Sequence, residues 1–172
     1  MQEKISVIIP VYNTGKLAVK LALQVVRSSY KKLEVIFVDD GSTDESFKIL
    51  SEFARQYEIK TRNKAVPKIK VLIKEHSGIS ATRNYGIAKS TGKYISFLDS
   101  DDSIDKYFFE KLLASLKKYE NLNSKELRIA MAISGILYRR AKNEKTKELY
   151  TKLLKTQLPD ETFFDYIVRL FY

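Results

Sequence analysis

The sequence predicts an α/β fold, a mostly parallel sheet flanked by helices, with a more helical C-terminal part. Three observations carry this expectation. Over residues 1–102, short apolar runs rich in β-branched residues alternate with segments of helical periodicity, the pattern of parallel strands joined by right-handed crossovers. Polar clusters follow directly on three of those runs. The 172 residues, 44% hydrophobic and 30% charged, suit one domain that buries about two-thirds of its unfolded surface.

Residues 5–9 are the first strand candidate, and 17–26 carry apolar residues at helical spacing. Residues 33–38 form the second apolar run. Residues 46–57 place Phe47, Leu50, Phe53 and Ala54 at helical intervals. Ser42 and Thr43 stand ahead of that helix as caps, with Asp44 and Glu45 expected in its first turn, facing the positive end of the dipole. Residues 69–73 and 94–98 are the third and fourth strands, separated by a helix over 79–89. A basic stretch from Lys60 to Lys74, broken by Pro67, reads as a surface loop entering the third strand. Further on, helices are expected over 107–119, 146–155 and 161–171, while 127–138 fits either strand or helix.

Composition excludes several chemistries. With no Cys and a single His, there is no disulfide framework, no Cys-based zinc site and no His-rich metal site. A Ser-His-Asp triad has only His76 to draw on. No stretch resembles a signal peptide or a membrane span, so the expected location is cytoplasmic or peripheral to a membrane. The net charge of +10 invites a polyanion: a phosphorylated substrate, an anionic lipid surface or nucleic acid. Neither G-x-G-x-x-G nor G-x-x-x-x-G-K-[ST] is present, which argues against dehydrogenase and P-loop chemistry.

The chemistry-bearing residues lie at strand ends. Pro10-Val11-Tyr12-Asn13 follows the first strand, Asp39-Asp40-Gly41-Ser42-Thr43-Asp44 the second, and Asp99-Ser100-Asp101-Asp102 the fourth. In an open parallel sheet, ligands bind outside the carboxyl ends of the strands. Clustered carboxylates in a basic protein call for a cation. The two-residue spacing of Asp99 and Asp101 suits a hard divalent ion, Mg²⁺ or Mn²⁺ rather than Zn²⁺, that keeps waters and binds substrate phosphates. The alternative is that the acidic run caps a following helix.

Four blocks together resemble the signature of family 2 glycosyltransferases: residues 6–13 (SVIIPVYN), 37–44 (FVDDGSTD), 78–88 (GISATRNYGIA) and 92–102 (GKYISFLDSDD). The resemblance implies a GT-A fold and inverting transfer of a sugar from a nucleotide donor, most readily a UDP-sugar. It implies that Pro10 and Tyr12 wall the nucleotide, that Asp40 accepts a hydrogen bond from the base with Asp39 beside it, and that Arg83 lies near the diphosphate. Asp99 and Asp101 match the D-x-D, with Asp101 the expected metal ligand. On this reading residues 1–102 form the nucleotide-sugar-binding half, and 103–172 a shortened acceptor-side, helical half of the same domain.

The family's acidic base motif has its nearest match at Asp160-Glu161-Thr162-Phe163-Phe164, with the acidic pair in reversed order. Glu161 is the first candidate base and Asp160 the second. The same residues also make a good helix start after Pro159. The expected partners are a nucleotide-sugar donor and a saccharide or lipid-linked acceptor, not nucleic acid, because the acidic strand ends repel a phosphate backbone. The basic surface suits an anionic membrane, and the terminal aromatics suit a partner, a membrane surface or self-association. A binding module without transfer activity is the alternative.

Overall fold

The computed structural model describes residues 3–62 and 66–114. Four strands, β1 (Ile5–Val11), β2 (Leu33–Asp39), β3 (Lys68–Ile73) and β4 (Tyr94–Phe97), form an all-parallel sheet in the order β3-β2-β1-β4. They are joined by α1 (Gly15–Val26), α2 (Ser46–Thr61) and α3 (Ile79–Ala88). The chain steps outward from β1 to β3, and α3 then carries it back to β4 on the other side of β1. Strand order therefore reverses at β1, the position where α/β sheets open a ligand crevice.

Burial explains the order. Every residue of β1 and β2 is buried, while β3 and β4 are partly exposed. Strands that are mostly apolar on both faces belong in the centre of a parallel sheet, covered on both sides. On one face, Val7, Ile9, Val35 and Phe37 pack with Ala18, Leu21, Ala22 and Val25 of α1 and Leu50 of α2. On the other, Ile8, Ile36 and Val38 pack with Tyr85 of α3 and with Leu72. Each large apolar side chain buried this way contributes about 1.5–3 kcal/mol. Gly86 lets α3 lie close on β1, since a Cβ there would meet Ile8 Cγ2 at 2.5 Å.

At the amino-terminal edge of the sheet, the buried Glu34 ties three strands together. Its carboxylate accepts hydrogen bonds from Ser6 Oγ (2.6 Å), Thr91 N (2.6 Å) and Thr91 Oγ1 (2.9 Å) and pairs with Lys4 and Lys70 at 3.2 and 3.1 Å. Burial alone would raise its pKa. The hydrogen bonds from Ser6, Thr91 and Lys70 outweigh burial and hold it at about 2.

Three expectations are corrected. Asp44 and Glu45 precede α2 rather than occupying its first turn: Glu45 is the N-cap residue, and Asp44 Oδ1 accepts the Ser46 N–H at 2.8 Å. Ser42 and Thr43 serve Asn13 instead of capping, with Asn13 N donating to Ser42 Oγ and Thr43 N to Asn13 Oδ1, each at 2.9 Å. The basic stretch is not one loop, because α2 runs through Lys60 and Lys68 and Lys70 lie on β3. A helix begins at 108 and is described to 114, with Phe109 and Leu113 buried in the core. The segments expected at 127–138, 146–155 and 161–171 lie outside the described residues. Among the described residues, no helix is long and apolar enough to cross a membrane.

Candidate functional site

A cleft of about 430 Å³ opens at the carboxyl ends of β1, β2 and β4. Pro10, Tyr12, Asp40, Asp99 and Asp101 all line it. The sheet brings them together: Pro10 is the penultimate residue of β1, Asp40 follows β2, and Asp99 follows β4, one residue beyond Leu98, whose N–H still bonds Ile8 O at 3.2 Å. Tyr12 stands exposed at the rim, ahead of a turn in which Asn13 takes a φ of 56°. That left-handed conformation is tolerated best by Gly and Asn.

Asp40 is the best-anchored residue of the cleft. Its side chain is buried, and Oδ1 accepts Lys74 Nζ at 2.6 Å and Ser77 N at 3.0 Å, while Oδ2 accepts Gly78 N at 2.9 Å. Burial would raise the carboxyl's pKa, but Lys74, the Ser77 and Gly78 amides and the Thr82 hydroxyl pull it down to about 2. It is an anion at any physiological pH.

His76 completes this corner. Its ring lies against Tyr12, centroids 4.4 Å apart, and its Nδ1 is 3.0 Å from the Asp40 carbonyl oxygen and 3.1 Å from Oδ2. Neither Lys74 nor His76 was singled out from sequence as a site residue. Both lie within three residues of the end of β3, but their place beside Asp40 and Tyr12 is set by the pairing of β3 with β2.

Asp39 is placed differently from Asp40. It is fully buried, Oδ1 accepts the Ser42 N–H at 2.7 Å, Oδ2 is buried without a partner, and the residue does not line the cleft. In this arrangement it shapes the 39–44 turn.

Asp99 to Asp102 form a closed turn rather than a helix cap. Asp102 N donates to Asp99 O at 2.9 Å, and Asp99 N donates to Asp102 Oδ2 at 2.8 Å. The next helix starts only at 108, and its approach is stabilised by Asp105 Oδ1 accepting Tyr107 N. The Asp102 carboxylate is drawn in against the turn, and lost hydration followed by the charges of Asp99 and Asp101 raises its pKa. Arg83 reaches across from α3 and donates from Nη2 to Asp99 Oδ1 at 2.7 Å. This partner lies 16 positions away, outside the helical i±4 neighbours Ile79 and Ile87.

The donor set fits a hard divalent cation only in part. Asp99 and Asp101 both line the cleft, with Asp99 Oδ1 paired to Arg83. No group of three or more His, Cys, Asp or Glu converges among the described residues. Two carboxylates with waters and substrate phosphate completing the shell is the coordination that Mg²⁺ and Mn²⁺ favour in phosphate-binding sites. Glu161 and Asp160, the candidate bases, lie outside the described residues.

A parallel sheet with helices on both faces and an acidic, aromatic-rimmed cleft at its switch point defines an α/β protein with a ligand crevice at its strand ends. The comparisons make this specific. Residues 6–170 match the family described as glycosyl transferase family 2, and the chain belongs to it. It is 34% identical over 120 residues to the glycosyltransferase GlyA of Streptococcus pneumoniae, covering 70% of this chain and 16% of that protein. It is 36% identical over 119 residues to GlyG of the same organism, covering 69% and 36%. The structure is similar to that of S. aureus TarS 1–349 in complex with UDP-GlcNAc, with a TM-score of 0.54 and 31% identity, covering 68% of this chain and 32% of that one. The fold is thus of the GT-A type. The chain spans between 16% and 36% of the length of these two curated relatives.

Proposed function

We propose that this chain carries the donor-binding half, residues 1–102, of a metal-assisted, inverting glycosyltransferase that uses a UDP-sugar. The observation that carries the proposal is the convergence of Pro10, Tyr12, Asp40, Asp99 and Asp101 on one cleft at the switch point. Tyr12 and Pro10 form the wall against which a base stacks. Asp40, a carboxylate lining the cleft, is the acceptor for a uracil imide N–H. Asp101 with Asp99 would hold Mg²⁺ or Mn²⁺, which supplies charge neutralisation for the diphosphate. Arg83 adds a guanidinium suited to phosphate oxygens. UDP-GlcNAc is bound by the similar TarS, which supports a UDP-linked hexose or N-acetylhexosamine as donor here.

In the reaction, an acceptor hydroxyl on a saccharide or lipid-linked sugar attacks the anomeric carbon from the face opposite the diphosphate. The new C–O bond forms as the bond to the phosphate oxygen breaks, inverting the centre, and the hydroxyl proton passes to Glu161 or Asp160. Such acceptors place the protein in polysaccharide assembly at the cytoplasmic side of a membrane, and residues 103–172 in acceptor binding. A second reading, donor binding with little transfer, is favoured by the reversed Asp160-Glu161 order. Thermal unfolding with UDP and Mn²⁺, followed by donor turnover, tests both. A ligand at 100 times its Kd raises stability by about 2.7 kcal/mol, and an unmoved Tm would sink the proposal. Raised stability without turnover selects the second reading.

A further inference from the structure

We infer that Arg83 holds Asp99 as a resident counter-cation in the free protein, so that divalent metal and nucleotide bind cooperatively through the displacement of one guanidinium. The inference rests on the reading of the cleft as a metal–nucleotide site and adds a coupling to it.

The observations are local. Arg83 Nη2 donates to Asp99 Oδ1 at 2.7 Å, with both side chains partly open to solvent, 33% and 49% exposed. The same turn carries Asp101 and Asp102, and Asp102 spends one oxygen on the Asp99 amide. Among the described residues, the Asp99 pair is the ion pair made by this turn and Arg83 its cation. The guanidinium lies 5.8 Å from the Phe97 ring centroid, and its Nε is buried with no hydrogen-bond partner. A guanidinium presents five N–H donors in a planar fork that matches phosphate oxygens two at a time. A single bond to one carboxylate oxygen leaves most of that capacity unused.

The consequence follows from charge. A divalent ion approaching Asp99 and Asp101 meets a positive group already seated on Asp99 Oδ1. Without a phosphate, the guanidinium stays among the carboxylates of the turn, and the ion binds against it. A diphosphate supplies several negative oxygens beside the turn. It draws the guanidinium off Asp99, and the freed carboxylate then takes the ion. Each ligand removes the obstacle to the other, and linkage requires the coupling to be equal in both directions. Arg83 acts here as a positioning residue: its move to the phosphate is what releases Asp99 to the ion.

The test is Mn²⁺ binding to the full chain, with and without UDP, read from the free-ion electron paramagnetic resonance signal. In the parent, saturating UDP tightens Mn²⁺ binding by about tenfold or more, within the usual range of coupling between sites. Arg83→Gln binds Mn²⁺ alone at least about fivefold more tightly than the parent, and its coupling to UDP shrinks by a similar factor. Arg83→Met is a second neutral variant of similar length, and Arg83→Lys keeps the charge and keeps Mn²⁺ binding weak in the absence of UDP. Thermal unfolding confirms that each variant is folded. Neutral variants that bind Mn²⁺ alone no better than the parent, while the parent still couples Mn²⁺ to UDP, overturn the inference and leave the proposed function standing. A parent that binds no Mn²⁺ even with UDP overturns the metal reading itself, and the inference with it.

Discussion

Replacing Asp40 by Asn perturbs the fold and the cleft together, and the structure allows both effects to be sized. Asp40 accepts Lys74 Nζ at 2.6 Å, Ser77 N at 3.0 Å and Gly78 N at 2.9 Å. Asn keeps one carbonyl oxygen and points an NH₂ at a donor, either at Gly78 N or at the Lys74 ammonium, whose side chain is only 16% exposed. Losing a hydrogen bond to a charged group costs about 1.5–3 kcal/mol. The carboxyl's pKa gives a second route: about 2 in the folded protein against 3.8 ordinarily corresponds to roughly 2–3 kcal/mol. The two agree, and for a protein of this size they translate to a Tm lowered by about 5–10 °C. Because the folded pKa is depressed, this stabilisation is fully present above pH 3.8 and is lost as pH falls toward 2. The Asn variant therefore differs from the parent at pH 7 and converges on it in acid. On the binding side, the lost acceptor lowers UDP affinity by about 1.5–3 kcal/mol and narrows the preference for UDP over CDP, since cytosine N3 carries no proton to donate. Thermal unfolding across pH, with calorimetry on both nucleotides, reads both effects. An unchanged Tm refutes the anchoring role, and an unchanged UDP-to-CDP preference removes Asp40 from base recognition.

Glu34→Gln, at the opposite edge of the sheet, leaves two lysines facing an amide and costs about 2–3 kcal/mol of stability, less than the 3–5 kcal/mol of a fully buried broken pair because Lys4 and Lys70 can turn to water. UDP affinity stays at the parent value, and the parent itself loses this stabilisation as pH falls from 4.5 toward 2; acid unfolding identical in the two proteins would show that the cluster contributes nothing. For Glu161 and Asp160, amide substitution of the true base abolishes turnover while UDP affinity persists, and robust turnover in both amide variants would move the search to Asp102.

The sheet and its three helices were legible because their signals are local. β1 and β2 are short runs rich in β-branched residues, and α1 buries Ala18, Leu21, Ala22 and Val25 along one stripe. The three cleft clusters were legible because strand ends are where parallel sheets bind ligands. What escaped was set by contacts distant in sequence or by turn chemistry. α2 continues to Thr61 through Glu58, Ile59 and Lys60, all exposed, so the apolar periodicity had faded before the helix ended. Asp44 looked like a first-turn residue but closes a turn onto Ser46 N ahead of it. Arg83 had no acidic neighbour on its own helix, and its partner Asp99 arrives from the end of β4. Lys74 and His76 gain their meaning only when β3 sets them beside Asp40 and Tyr12.

The central claim is that the cleft binds a nucleotide diphosphate through a metal held at the Asp99-Ser100-Asp101 turn. Calorimetric titration of UDP in the presence of Mn²⁺, on the parent and on Asp101→Ala, tests it most directly. Asp101 is exposed and lines the cleft, so the substitution leaves the core intact and Tm within a few degrees of the parent. The account predicts saturable UDP binding by the parent that depends on Mn²⁺, and a loss of about tenfold or more in the variant, the scale of 1.4 kcal/mol or above. Equal UDP–Mn²⁺ affinity in the two folded proteins, or no binding by the parent, would contradict it.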